Sequence, residues 1–70
     1  MKLSARNRIP GTVTKLTKGE AIANVEIDCG GQRIVASITV EAASELGLQE
    51  GSDVTAIIKA SDVMLATDFS

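Results

Sequence analysis

Two short stretches of this chain gather cations and hydrogen-bond donors and hold no carboxylate on the donor face. The first is Ser4-Ala-Arg-Asn7, where an extended backbone turns Ser4 and Arg6 to the same side. The second is Lys59-Ala-Ser61, at the end of the most strand-like segment, Val54 to Met64. Strict alternation puts Val54, Ala56, Ile58 and Ala60 on one face of that segment, and Thr55, Ile57, Lys59 and Ser61 on the other. Such groups suit a small oxyanion. A tetrahedral dianion needs N–H and O–H donors from several directions and positive charge near its oxygens. Arg6 supplies a planar fork and Lys59 a point charge. Ser4 and Ser61 supply directional hydroxyls, and the Ala60 N–H can complete the shell. Thr39, ahead of a short predicted helix, adds a hydroxyl beside exposed backbone N–H groups that favour an anion. Read alone, the same residues also fit a solvated cationic terminus (Lys2 to Arg8) and an ordinary polar strand end.

Other chemistries find less support. The chain has no His and one Cys, so nothing stands ready to activate Cys29, and neither an intrachain disulfide nor a structural zinc site can be assembled. Cys29 reads as a small buried hydrophobe. Glu26 and Asp28 share the polar face of a strand and lack the enclosed pocket that an acid–base pair requires. No catalytic residue is assigned and no enzyme is expected. Nucleic acid is also disfavoured, because the net charge is −2 and the only aromatic residue is Phe69. No apolar run approaches the roughly 20 residues of a membrane span. A free Cys without a signal-peptide core points to the cytoplasm.

The elements that must position these donors follow from pattern. Ile9 to Thr17 is a β run whose Pro10 and Gly11 mark an edge, a bend or a bulge. Ala21 to Cys29 alternates cleanly, with Ala21, Ala23, Val25, Ile27 and Cys29 on the apolar face. Gly30-Gly31 makes a two-residue hairpin, and Gln32 to Thr39 returns. Val40 to Leu46 is a short helix with Thr39 as its cap, Glu41 in its first turn and Gly47 just past its end. The Val54 segment is the fourth strand and Val63 to Ala66 a fifth. The expectation is an all-β fold: a five-stranded OB-like barrel with one short helix between strands three and four, as a single domain over residues 1–70. At 70 residues, 44% of them hydrophobic, the chain is too small to bury a large core and holds much aliphatic strand surface. Association with further copies is expected to cover it.

Ser4-Ala-Arg-Asn7, Gly11-Thr-Val13, Glu45-Leu-Gly-Leu48, Val54 through Ile58-Lys-Ala-Ser61 and Val63-Met64 together resemble the molbindins, the small Mop-type molybdate-binding proteins. The resemblance runs from about Lys2 to Ala66. It implies an OB-like module assembled as a hexamer, a trimer of dimers, with molybdate or tungstate held between subunits for intracellular storage and homeostasis. By motif it carries over Ser4 and Arg6 from one subunit and Lys59, Ala60 and Ser61 from a neighbour. Thr39 carries over by its place before the helix, and Asn7 by its place in the first motif, either at the anion or positioning the loop. Members of that family often carry a Ser early in the helix; Ala42 stands there in this chain, with Ser44 two residues on. The competing reading is an oxyanion-sensing regulatory or protein-interaction module.

Overall fold

The computed structural model describes residues 6–67, so Ser4 and Phe69 lie outside the described residues. Its strands are β1 (Asn7–Lys18), β2 (Ile22–Cys29), β3 (Gln32–Thr39) and β4 (Asp53–Ile58), with helix α1 (Val40–Glu45) between β3 and β4. They form one antiparallel sheet in the order β3-β2-β1-β4, curled as an OB-like barrel.

The β2–β3 hairpin is as its sequence predicts. Gly30 and Gly31 take φ of 63° and 91°, a conformation that suits glycine, and pairing runs from Cys29–Gln32 to Ile22–Thr39. The Asp28 carboxylate accepts the Gly31 N–H at 2.9 Å and fastens the turn. Ala23, Val25, Ile27 and Cys29 are buried, while Ala21 precedes the strand and is exposed.

β1 is shared. Its first half, Asn7 to Thr12, pairs with β4; its second half, Thr12 to Lys18, pairs with β2. Pro10 falls before the β2 pairing begins, where β1 has one open side and a missing N–H is tolerated. The bulge lies further on: Val13 pairs with Ile27 but Lys15 with Glu26, leaving Thr14 as the extra residue. Gly11 serves a close approach instead. A Cβ there would lie 2.5 Å from Ile27 Cγ2, 2.6 Å from Cys29 Sγ and 2.8 Å from the Asp28 carbonyl oxygen.

The core is Val13, Val25, Ile27 and Cys29, with Ile9, Leu16, Ile34, Ile38, Leu48 and Val54 packed around it. Each aliphatic side chain fully buried there stabilises the fold by roughly 1.5–3 kcal/mol. Helix α1 is closed at both ends. Thr39 Oγ1 accepts the Ala42 N–H at 3.0 Å. Past the helix, Gly47 N–H donates to the Ser44 carbonyl and Leu48 N–H to the Ala43 carbonyl at 3.0 and 3.1 Å, with Gly47 at φ 64°.

Two expectations are corrected. Among the described residues the sheet has four strands, not five. β4 stops at Ile58, and a single 3-10 turn over Ala60–Asp62 redirects the chain before Val63. Val63 to Ala66 then finds no strand partner among the described residues, and Met64 and Leu65 are 92% and 93% exposed. The alternation expected to carry Lys59 and Ser61 onto one strand face therefore ends before either residue. The barrel consequently stays open between β3 and β4, over an apolar groove of about 260 Å³ lined by Ala36, Ile38, Leu46, Leu48, Val54 and Ala56 among others.

Candidate functional site

The antiparallel β1–β4 pairing unites the two donor stretches. Asn7 stands opposite Ile58, and its side-chain Nδ2 donates to the Ile58 carbonyl at 3.1 Å across 51 residues of sequence. The ladder ends at that pair; Arg6 and Lys59 are the next residue on either side of it, and the Lys59 backbone is still extended (φ −65°, ψ 140°). The two clusters were expected from different subunits. Antiparallel pairing makes them neighbours within one protomer.

The 3-10 turn then shapes the second cluster. Its bonds run from Asp62 N–H to the Lys59 carbonyl (2.9 Å) and from Val63 N–H to the Ala60 carbonyl (3.3 Å). The N–H groups of Ala60 and Ser61 precede these bonds and are not spent on the turn. Arg6, Lys59, Ala60 and Ser61 are all exposed, so their donors are accessible to an ion from solution. Among the described residues the only ion pair is Arg33–Glu26, at 2.7 Å. Among the described residues neither Arg6 nor Lys59 is therefore neutralised by a carboxylate, although Asp62 closes the turn. Like charges opposite one another across a strand pair repel, and a dianion between them converts that repulsion into attraction. Arg8, exposed on β1 opposite Ile57, adds a third cation two residues from Arg6. Sequence reasoning left Arg8 with the terminus; the alternation of β1 was the signal that aligns it with Arg6.

Thr39 is elsewhere. It pairs with Ile22 at the end of β3, beside the Ala23–Lys18 pair that closes β1. Eleven strand steps separate Lys18 from Asn7, a path of roughly 35 Å. Its hydroxyl accepts one bond from α1 and still has its proton to donate outward. Ala42 spends its N–H on that cap, and Ser44 is exposed on the helix. One protomer thus holds Arg6, Asn7, Lys59, Ala60 and Ser61 together, and leaves Thr39 apart.

A larger concavity of about 600 Å³ lies over the middle of β1, lined by Pro10, Thr12, Asp28, Gly30, Asp53 and Thr55. Thr12 pairs with Asp28 on one side and Asp53 on the other, so carboxylates flank it. Their charge is wrong for an anion. The exposed cations at the strand ends suit an anion better than this concavity does.

The TOBE domain family matches residues 3–65. Molybdenum-pterin-binding protein 1 of Clostridium pasteurianum is 42% identical over 66 residues, which cover 93% of this chain and 97% of that protein. A molybdate-binding protein from Sporomusa ovata superimposes with a TM-score of 0.92 at 36% identity, over 96% of this chain and all of that one (100%). The cytoplasmic molybdate-binding protein ModG, solved with molybdate bound, superimposes with a TM-score of 0.88 at 43% identity, over 91% of this chain and 46% of its own.

Proposed function

Because the chain belongs to the TOBE domain family, we propose that it is a non-enzymatic binder of molybdate and tungstate, held by donors that converge where subunits meet. The observation that carries this reading is the pairing of Asn7 with Ile58, which brings Arg6 and Lys59, the next residue of each stretch, to the same sheet end beside the donors of Ala60 and Ser61, with neither cation in an ion pair among the described residues. Arg6 and Lys59 compensate the charge of the anion. Ser4, Ser61 and the Ala60 N–H orient its oxygens, Asn7 belongs to the same cluster, and Thr39 donates from a second copy. A donor-only shell fits a dianion that carries no proton. Phosphate, partly protonated at neutral pH, brings an O–H for which the Ser4 and Ser61 hydroxyl oxygens are the acceptors in this set, at the cost of their own orientation as donors.

Assembly is part of the reading. The strand path of roughly 35 Å between Thr39 and the cationic cluster calls for more than one protomer. So do the open side of the barrel and the exposed Met64 and Leu65. The family resemblance makes that assembly a hexamer, a trimer of dimers. The relative in Clostridium pasteurianum is named for a pterin; stacking on a pterin ring calls for an aromatic side chain, and Phe69 is the one this sequence has. The cellular role that follows is storage and homeostasis of the anion in the cytoplasm, where ModG is described. Among the described residues no helix is long and apolar enough to cross a membrane.

The test is calorimetric titration of the assembled, anion-free protein with molybdate, tungstate, sulfate and phosphate in one buffer. Tight binding of the first two alone is expected, with Arg6→Ala and Lys59→Ala each weakening it sharply. Unchanged affinity in both variants overturns the assignment.

A further inference from the structure

We infer that Asn7 is a positioning residue for the anion site: its side-chain amide clamps the start of β1 to the end of β4 and holds two unneutralised cations together before the anion arrives. The inference rests on the anion-binding reading above and assigns Asn7 a role distinct from touching the ligand.

The geometry is specific. Asn7 and Ile58 form the last paired residues of the β1–β4 ladder. Beyond them β4 gives way to Lys59 and the 3-10 turn, and Arg6 is no longer in the strand. Ladder ends fray, and this end has a reason to: continuing the register sets Arg6 against Lys59, and among the described residues neither meets a carboxylate. The Asn7 Nδ2 bond to the Ile58 carbonyl, at 3.1 Å, spans this junction. It is a side-chain bond added where backbone pairing runs out, and it ties down the carbonyl one residue before Lys59. Asn7 itself is half-buried, unlike Arg6, Lys59, Ala60 and Ser61, which are exposed. Its amide faces the strand end, while the donors around it are open to solution.

Without the clamp the two clusters spend part of their time apart, and only the fraction held together captures the anion. The apparent affinity then falls by that fraction. The loss appears in the association rate, because the bound complex, once formed, keeps all its own contacts. A residue that touches the anion behaves oppositely: its removal speeds release.

The experiment is stopped-flow and calorimetric binding of molybdate to the full-length assembled protein and to Asn7→Leu, which keeps the approximate shape and deletes the donor. Asn7→Ala is a second variant, with assembly verified by sedimentation for each. The expected result is a roughly fivefold to tenfold weaker affinity, the size of one lost hydrogen bond, carried by the association rate with dissociation within about twofold. The salt dependence of affinity should stay as in the parent, since no charge is removed. A dissociation rate that rises with association unchanged makes Asn7 a direct ligand and overturns the inference; so does wild-type binding in both variants. If neither variant assembles, the wild-type protein answers by NMR. A small shift of the Asn7 side-chain amide protons on adding molybdate supports positioning, and a large one overturns it. Failure of the wild-type protein to bind molybdate is a separate outcome, and it removes the anion reading itself.

Discussion

Replacing Gly11 by Ala tests the packing that brings β1 from β2 to β4. The added methyl group meets Ile27 Cγ2 at 2.5 Å, Cys29 Sγ at 2.6 Å and the Asp28 carbonyl oxygen at 2.8 Å. Two of these neighbours are buried side chains, and the third is backbone inside a hairpin fixed on both edges. None is the free end of a flexible side chain, so β1 and β2 must part locally. Overpacking of this kind costs about 1–3 kcal/mol. Ala restricts the unfolded chain more than Gly, which offsets about 0.4–1 kcal/mol. The net loss is roughly 0–2.6 kcal/mol with a midpoint of about 1.3, which corresponds to a fall in Tm of roughly 5–10 °C for a chain of this length. The assay is thermal unfolding by circular dichroism at one fixed protomer concentration, because assembly makes the midpoint concentration-dependent. Adding Ile27→Ala to Gly11→Ala removes one of the three contacts, so the pair should cost less than the sum of the single changes. A Tm at or above that of the parent, or strict additivity with Ile27→Ala, refutes the steric argument.

Three further outcomes follow from local structure. Thr39→Val strips the Ala42 N–H of its acceptor and should lower stability by about 1 kcal/mol in denaturant unfolding, with Thr39→Ser close to the parent. The Arg33 guanidinium, bonded to Glu26 at 2.7 Å, holds that carboxyl below its ordinary pKa against an opposing contribution from desolvation, and the charges of Arg33 and then of Lys15 lower it further. A depressed folded-state pKa stabilises the fold above the unfolded value, and the contribution is lost as pH falls through the folded one. NMR titration of Glu26 should therefore read low in the parent and ordinary in Arg33→Gln, and the two proteins' stabilities should converge in acid. Charging the exposed apolar segment with Met64→Asp and Leu65→Asp should shift sedimentation toward smaller species; an unaltered assembly would mean that this segment faces solvent in the oligomer.

The hairpin and the helix were legible because their signals are local. Alternation from Ala23 to Cys29, two adjacent glycines, and a Thr and a Gly bracketing six helical residues each fix geometry within a few positions. The donor residues were legible as types, since Arg6 and Lys59 are cations with hydroxyls close by in the sequence. Their juxtaposition was not, because it rests on a pairing between residues 51 apart. The fifth strand failed for a related reason. Val63 to Leu65 has the composition of a strand, but a strand also needs an edge to pair with, and composition does not supply one. The strand-face placement of Ser61 beside Lys59 failed with it, since alternation holds only while the ladder continues.

The extra residue at Thr14 has a consequence for how this chain tolerates changes in length. Up to Val13 the inward positions of β1 are odd-numbered, with Ile9, Gly11 and Val13 facing the core; after the bulge Leu16 takes over, and the parity is even. Thr14 absorbs the phase change, its hydroxyl donating to the Glu26 carbonyl at 3.2 Å. Removing one residue at that point restores a single phase, and Lys15 and Leu16 keep their outward and inward faces. Removing one between Ile9 and Val13 instead inverts the residues that precede the cut, turning polar side chains into the core. Within the core-facing stretch from Ile9 to Leu16, a single-residue deletion is therefore best placed at the seam between the two pairing partners of β1.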